Sequence, residues 1–265
     1  MPFSLNMKLI LLWPLLLTFN YSTAQENDWN GFKMEEFEIE GRKGKIVFPK
    51  QANKKRLWIW RARFWGHEPQ VDIALLSNGF HLVYVDVANL FGNDLAVNIW
   101  NRTYKFVSQK YQLHPKAVLE GMSRGGLIVY NWTAKNTDKV ACIYVDAPVC
   151  DIKSWPGGMG KGKGAKTEWK ACLSAYQLTT KKVKQFKGNP VDHAALIAKA
   201  NIPVIHVCGD ADKVVPMEEN TLLFKERYEQ AGGKMHLITK KGIGHHPHCL
   251  EDPQPIVDFI LANTL

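Results

Sequence analysis

No apolar run in this 265-residue sequence is long enough to cross a bilayer: residues 9–19 are the best candidate and Pro14 interrupts them, which excludes a stably inserted helix. No His-Glu-x-x-His occurs, and His245, His246 and His248 are split by Pro247 and form no i, i+4 pair, so their spacing argues against a metal centre. A Gly-x-Gly-x-x-Gly dinucleotide fingerprint is missing, and Gly162-Lys163 runs into Gly164 where a phosphate-binding loop needs Ser or Thr. Neither a metal nor an organic cofactor is therefore expected. Internal repeats and heptads are also missing, which removes solenoids and coiled coils. Acidic residues are outnumbered, 25 against 34 Lys+Arg, for a net charge of +9. The lysine-rich stretch nevertheless lacks the interleaved stacking aromatics of a nucleic-acid binder, so no nucleic acid partner is expected.

What is present begins with a secretory pattern. Lys8 supplies a basic start, residues 9–19 an apolar core, and Ser22-Thr23-Ala24 a small-residue cleavage site with no cysteine for a lipid anchor. Residues 1–24 thus read as a signal peptide, and 25–265 as one domain of about 240 residues, enough for a sizeable core and too few for two. A secreted or periplasmic location is expected, where disulfides persist. Five cysteines cannot all pair. Cys142 and Cys208 lie in apolar runs and read as buried hydrophobes, whereas Cys150 and Cys172 flank an irregular segment. A Cys150–Cys172 disulfide is expected, worth on the order of 3 kcal/mol. Cys249 lies near His245 but has no helix N-terminus to activate it.

The most informative residues are Gly121-Met122-Ser123-Arg124-Gly125-Gly126. They follow a strand-like run over residues 116–120 and open a helix-like one over 127–132, the setting of a nucleophile elbow. So sharp a turn strains the backbone at Ser123 and needs small neighbours, with Gly121 and Gly125 expected where a side chain would collide with the adjoining strand or helix. Ser123 Oγ is thereby lifted clear of the sheet at a helix N-terminus, whose partial positive charge favours a developing oxyanion. A lone serine is a weak nucleophile, so a histidine and a carboxylate must accompany it. The apolar run 202–208 reads as a buried parallel strand that ends at Asp210 and Asp212. The run 234–239 leads into a glycine-loosened loop with His245, His246 and His248, and Asp146 follows a further strand at 140–145. Asp210 and Asp212 also suit N-capping of a helix beginning near residues 217–219, a role expected above all of Asp210.

Strand and helix patterns alternate along the chain, with edge strands within 28–48, strands at 56–64 and 80–86, and helices at 69–77, 93–111 and 255–261. Such alternation is the signature of an α/β fold with a mainly parallel sheet and helices on both faces. Residues 151–180 break it, being rich in Gly, Lys and Trp, and are expected to form a small cap or lid. Trp155, Lys161 and Lys163 would there meet an anionic substrate.

These features resemble the α/β-hydrolase superfamily over essentially the whole mature length. Gly-Asp-Ala-Asp-Lys-Val-Val-Pro at 209–216 and Gly-Ile-Gly-His at 242–245 match the superfamily's acid and histidine motifs. Residue by residue, the resemblance implies Ser123 as nucleophile, Asp212 as acid and His245 as base, with Asp210, Asp146, His246 and His248 as rivals. It implies an oxyanion hole made by the backbone N–H of Arg124 and a second from the segment 57–68, within Arg61 to Arg63, with Arg61 and Ala62 as the expected donors, at a place where usual members carry His-Gly or a glycine run. Arg61, Arg63 and Trp65 are expected to contact substrate, the arginines gripping a carboxylate bidentately. Trp-Arg-Ala-Arg-Phe, Gly-Met-Ser-Arg-Gly-Gly, Ala-Pro-Val-Cys-Asp and Gly-His-His-Pro-His are similar to small secreted hydrolases of polysaccharide-degrading bacteria, relatives of carbohydrate esterases that include rhamnogalacturonan and pectin methylesterases. The resemblance implies a monomeric serine esterase that removes methyl or acetyl esters from an acidic polysaccharide through an acyl-enzyme. The same triad serves amides, so a serine peptidase of this fold is the alternative, and an inactive carbohydrate-binding homologue is another.

Overall fold

The computed structural model describes residues 26–264. The expected signal peptide at residues 1–24 lies outside the described residues. A nine-stranded sheet runs in the order β1-β2-β3-β5-β4-β6-β7-β8-β9. Strands β1 (Glu26–Trp29), β2 (Phe32–Ile39) and β3 (Arg42–Val47) form an antiparallel edge that joins β5 (His81–Val85). Asn30-Gly31 and Glu40-Gly41 turn these hairpins with positive φ at both residues, the geometry that matches strand twist. From β5 onward, β4 (Trp58–Arg61), β6 (Ala117–Met122), β7 (Val140–Asp146), β8 (Val204–Gly209) and β9 (Met235–Lys240) are all parallel. This is the α/β-hydrolase fold expected from the sequence.

Helices cover both faces because the central strands are apolar on both. Trp58 and Trp60 point into a core beneath α2 (Asp94–Tyr111), α3 (Gly125–Thr133), α5 (Pro190–Lys199) and α6 (Thr221–Gln230). Leu57 and Ile59, alternating with them, point to the other side against α1 (Gln70–Ser77) and α7 (Gln254–Ala262). Trp60 stacks on Trp100 with ring centroids 4.0 Å apart and meets Trp132 edge-on at 5.3 Å, an arrangement suited to the ring quadrupoles.

The segment 151–180 is more ordered than its composition suggests. It contains a helix, α4 (Lys166–Ala175), unforeseen because its apolar spacing is weak. Trp155 and Cys172 close their own small core with Phe91, Leu127, Val149 and Val215. The glycine-rich loop is pinned: a Cβ on Gly164 would lie 2.7 Å from Gly158 Cα, and the Lys161 N–H donates to Glu219.

The expected Cys150–Cys172 disulfide is not formed, and all five thiols are free and buried. Cys150 belongs to the main core on the α3 side, Cys172 to the small separate core of the 151–180 segment. Burial pushes the Cys172 thiol up to about 12. Among the described residues no helix is long and apolar enough to cross a membrane.

Candidate active site

Ser123 stands between β6 and α3 with φ of 49°, a left-handed conformation that costs about 1–3 kcal/mol in a non-glycine residue. Three backbone hydrogen bonds hold it there: its N–H donates to Asp146 O at 2.8 Å, and its carbonyl accepts from Gly126 at 3.0 Å and Val149 at 2.9 Å. The crowding is distributed differently from expectation. A Cβ on Gly121 would lie 2.9 Å from Gly125 C, as expected, but one on Gly125 would find only ordinary contacts at 3.5 Å and beyond. Gly126 carries the second constraint, 2.8 Å from Pro148 Cβ.

His245 bridges the other two members. Its Nε2 is 3.0 Å from Ser123 Oγ and its Nδ1 2.7 Å from Asp212 Oδ2. A carboxylate can only accept, so the proton sits on Nδ1 and Nε2 offers its lone pair to the serine hydroxyl. Asp212 Oδ1 accepts from the N–H groups of Val214 at 2.8 Å and Val215 at 2.9 Å, the bonds of a tight Asx turn at the end of β8. Burial opposes the charge on Asp212, but the hydrogen bonds from His245, Val215 and Val214 outweigh it and hold the carboxyl below its ordinary value. Neither Asp210 nor Asp212 caps the helical turn at Met217–Glu219, whose N-cap is Pro216. Asp210 instead accepts from Gly242 N–H at 2.6 Å, tying the acid loop to the histidine loop.

The remaining rivals form a second dyad. Asp146, fully buried at the end of β7, accepts from His248 Nδ1 at 2.8 Å and from Cys249 N–H at 2.8 Å. His248 is buried, and its ring centroid lies 4.9 Å from that of His245. Both faces of the pairing were visible as candidates in the sequence, but only the fold assigns Asp146 to His248. A cleft of about 400 Å³ opens over Ser123, walled by Phe64, Trp65, His67, His245, His246 and His248. Of the residues expected to contact substrate, Trp65 lines this cleft. Phe64 and His67 were not singled out, although they lie in the segment suspected of carrying an oxyanion donor.

Arg61 does not face substrate. Its guanidinium is buried between Asp72 and Glu120, 3.0 Å from Glu120 Oε1, and its Nε donates to the carbonyls of Arg63 at 3.2 Å and Phe64 at 3.1 Å. It positions the loop that walls the cleft. Burial in this carboxylate pair pushes Glu120 well above its ordinary value. Ala62 is also excluded from the oxyanion hole, because its N–H is consumed by Glu120 O at 2.9 Å. The Arg63 guanidinium lies over the Phe64 ring at 4.7 Å instead of lining the cleft. Trp155 does not line it either: it packs in the small core of the 151–180 segment, with the Arg124 guanidinium 5.6 Å from its ring. Arg124 is further held by Glu168 of α4. Lys161 turns to Glu218 at 3.4 Å, and neither it nor Lys163 lines the cleft.

No curated protein matches the chain. Its fold is similar to Porphyromonas gingivalis dipeptidyl peptidase 4, at a TM-score of 0.67 and 15% identity over 89% of this chain and 36% of that one. A Mycobacterium tuberculosis puromycin-hydrolyzing peptidase gives 0.67 and 12% over 86% and 38%, and Pyrococcus horikoshii acylaminoacyl peptidase 0.61 and 15% over 81% and 38%. The chain thus spans well under half the length of these structures. Residues 84–260, which include Ser123, Asp212 and His245, match the prolyl oligopeptidase family. That match overturns the expected kinship with carbohydrate esterases, and with it the acidic-polysaccharide ester as substrate and partner. Among the short motifs behind that expectation, Gly-Met-Ser-Arg-Gly-Gly forms the elbow and Gly-His-His-Pro-His the histidine loop, parts that serve ester and amide carbonyls alike. The chain belongs to the prolyl oligopeptidase family of serine hydrolases.

Proposed function

We propose that this protein is a serine peptidase that cleaves peptide amides through an acyl-enzyme, with Ser123 as nucleophile, His245 as base and Asp212 as its orienting acid. One observation carries the reading: the three residues are joined by hydrogen bonds of 3.0 and 2.7 Å inside the stretch that matches the prolyl oligopeptidase family. His245 Nε2 takes the Ser123 proton as Oγ attacks the carbonyl carbon, and returns it to the leaving amine; water then repeats the cycle on the acyl-enzyme. Asp212 stabilises the imidazolium. The Arg124 N–H, at the N-terminus of α3, is one oxyanion donor. The second is the N–H of Arg63, whose nitrogen lies 3.9 Å from the Cβ position of Gly125 in that same first turn. Phe64 and Trp65 give the cleft an apolar wall suited to an uncharged side chain next to the scissile bond. Export to the periplasm or beyond, expected from residues 1–24, belongs to the same proposal.

The test is a panel of fluorogenic peptidyl amides beside methyl- and acetyl-esterified polysaccharides, with a fluorophosphonate probe to count active serine. Labelling of the wild type but not of Ser123→Ala, with amide cleavage dependent on the same serine, is the expected outcome. A protein that takes the probe at Ser123 and cleaves no peptide amide would overturn the peptidase reading.

A further inference from the structure

Four imidazoles crowd the mouth of the cleft. The rings of His245, His246 and His248 lie 4.7–5.0 Å apart, and His67 stands 6.1 Å from His246 and 6.0 Å from His248. One ligating atom from each of His245, His246 and His248 falls within 4.8 Å of the others. A triad needs one of these histidines. Two of the three are preset as ligands in the manner of metal-binding histidines, whose second ring nitrogen is held by a carboxylate. His245 Nδ1 is tied to Asp212 and His248 Nδ1 to Asp146, so in both rings Nε2 carries the lone pair, that of His245 facing the Ser123 hydroxyl at 3.0 Å. His246 is exposed and can turn its ring at little cost.

We propose that His245, His246 and His248 form a binding site for a divalent transition-metal ion, and that occupancy switches hydrolysis off. Tetrahedral coordination at about 2.0–2.1 Å from each nitrogen places ligand atoms about 3.4 Å apart, closer than the 4.8 Å limit observed here, so binding draws the exposed His246 ring in toward the two held rings. Neutral imidazoles favour zinc, copper or nickel over magnesium or calcium. Three protein ligands leave a fourth position to water. The ion takes the same Nε2 lone pair that accepts the Ser123 proton, so His245 cannot serve both, and the metal competes with turnover. This inhibitory half rests on the proposed base role of His245; the binding half does not. A rival group, His67, Glu68 and His246, also brings its ligand atoms within 4.8 Å but contains no triad member.

The test uses the untagged full chain freed of metal by chelation. Zinc chloride and magnesium chloride are titrated by calorimetry, and peptide-amide hydrolysis and fluorophosphonate labelling are followed in parallel. One zinc per chain, no heat from magnesium, and a fall in rate of about tenfold at nine times Kd, reversed by chelator, are expected. His246→Ala and His248→Gln should each weaken zinc binding by at least about tenfold, each variant's inhibition being referred to its own metal-free rate, whereas His67→Ala should not. The exposed position of His246 makes its variant the safer one for folding. No zinc heat at millimolar concentration, binding that survives both the His246 and His248 variants, or binding lost only with His67 would overturn the site. Zinc binding that depends on His246 and His248 but leaves fluorophosphonate labelling unchanged would overturn the inhibition alone. If no peptide is cleaved, calorimetry still decides the site.

Discussion

Two buried Asp–His pairs face one cleft, and substituting each aspartate by asparagine separates the reacting pair from the supporting one. In Asp212→Asn the Oδ1 bonds to Val214 and Val215 survive, so the loop keeps its shape, but the amide NH₂ turned toward His245 donates where the carboxylate accepted. The imidazole then moves its proton to Nε2 and can no longer take one from Ser123. The expected loss in kcat is about 10⁴-fold, equivalent to about 5.4 kcal/mol of transition-state stabilisation, with little change in Tm. Asp146→Asn removes the charged acceptor of two buried donors, His248 Nδ1 and Cys249 N–H. Its cost should appear as stability, about 2 kcal/mol, or a Tm lower by roughly 4–8 °C. Single-turnover acylation of a peptidyl ester, with thermal unfolding measured on the same samples, reads both quantities. If Asp146→Asn abolished acylation while Asp212→Asn stayed within tenfold of wild type, the assignment of the triad acid would be refuted.

Other substitutions test the supporting structure. Arg61→Met leaves Asp72 and Glu120 buried without their cation and should cost about 3–5 kcal/mol in urea unfolding, with kcat/KM reduced as the 63–67 loop loses its anchor; unchanged stability would contradict the buried-pair reading. His206, buried against Tyr130 and Thr221, has its pKa lowered by burial to about 3, so the unfolded chain binds a proton that the fold refuses. Its contribution is complete above about pH 6.5 and declines as pH falls, by about 2 kcal/mol at pH 5, and His206→Asn should flatten that part of the stability profile; an unaltered acid slope would refute it. Gly126→Ala should lower stability and activity, by about 1–3 kcal/mol in unfolding, and Gly125→Ala by less, since only the first drives a Cβ into Pro148; the reverse ranking would show that the elbow is crowded elsewhere.

Much of the molecule was legible in the chain because its determinants are local. The glycines around Ser123, the apolar runs at 202–208 and 234–239, and the Asp and His just beyond those strands require only short-range turn chemistry and the register of parallel strands, and these gave the fold and the order of the triad. Residues whose meaning depends on a distant partner were not legible. Arg61 looked like a substrate clamp until Asp72 and Glu120, from α1 and β6, enclosed it, and Ala62 looked like an oxyanion donor until Glu120 O took its N–H. Cys150 and Cys172 flank one segment but lie in separate cores, and the lysine-rich loop is held by Glu218 and Glu219 from the helical turn that follows β8 in the chain. The choice between peptide and ester was invisible for a different reason, since a triad encodes attack on a carbonyl and not the atom that leaves. The sequence by itself determined the backbone frame and the order of Ser123, Asp212 and His245 along it; the tertiary structure decided which buried charges face each other and which histidines share a cleft, because such contacts form between strand ends that only the folded sheet brings together.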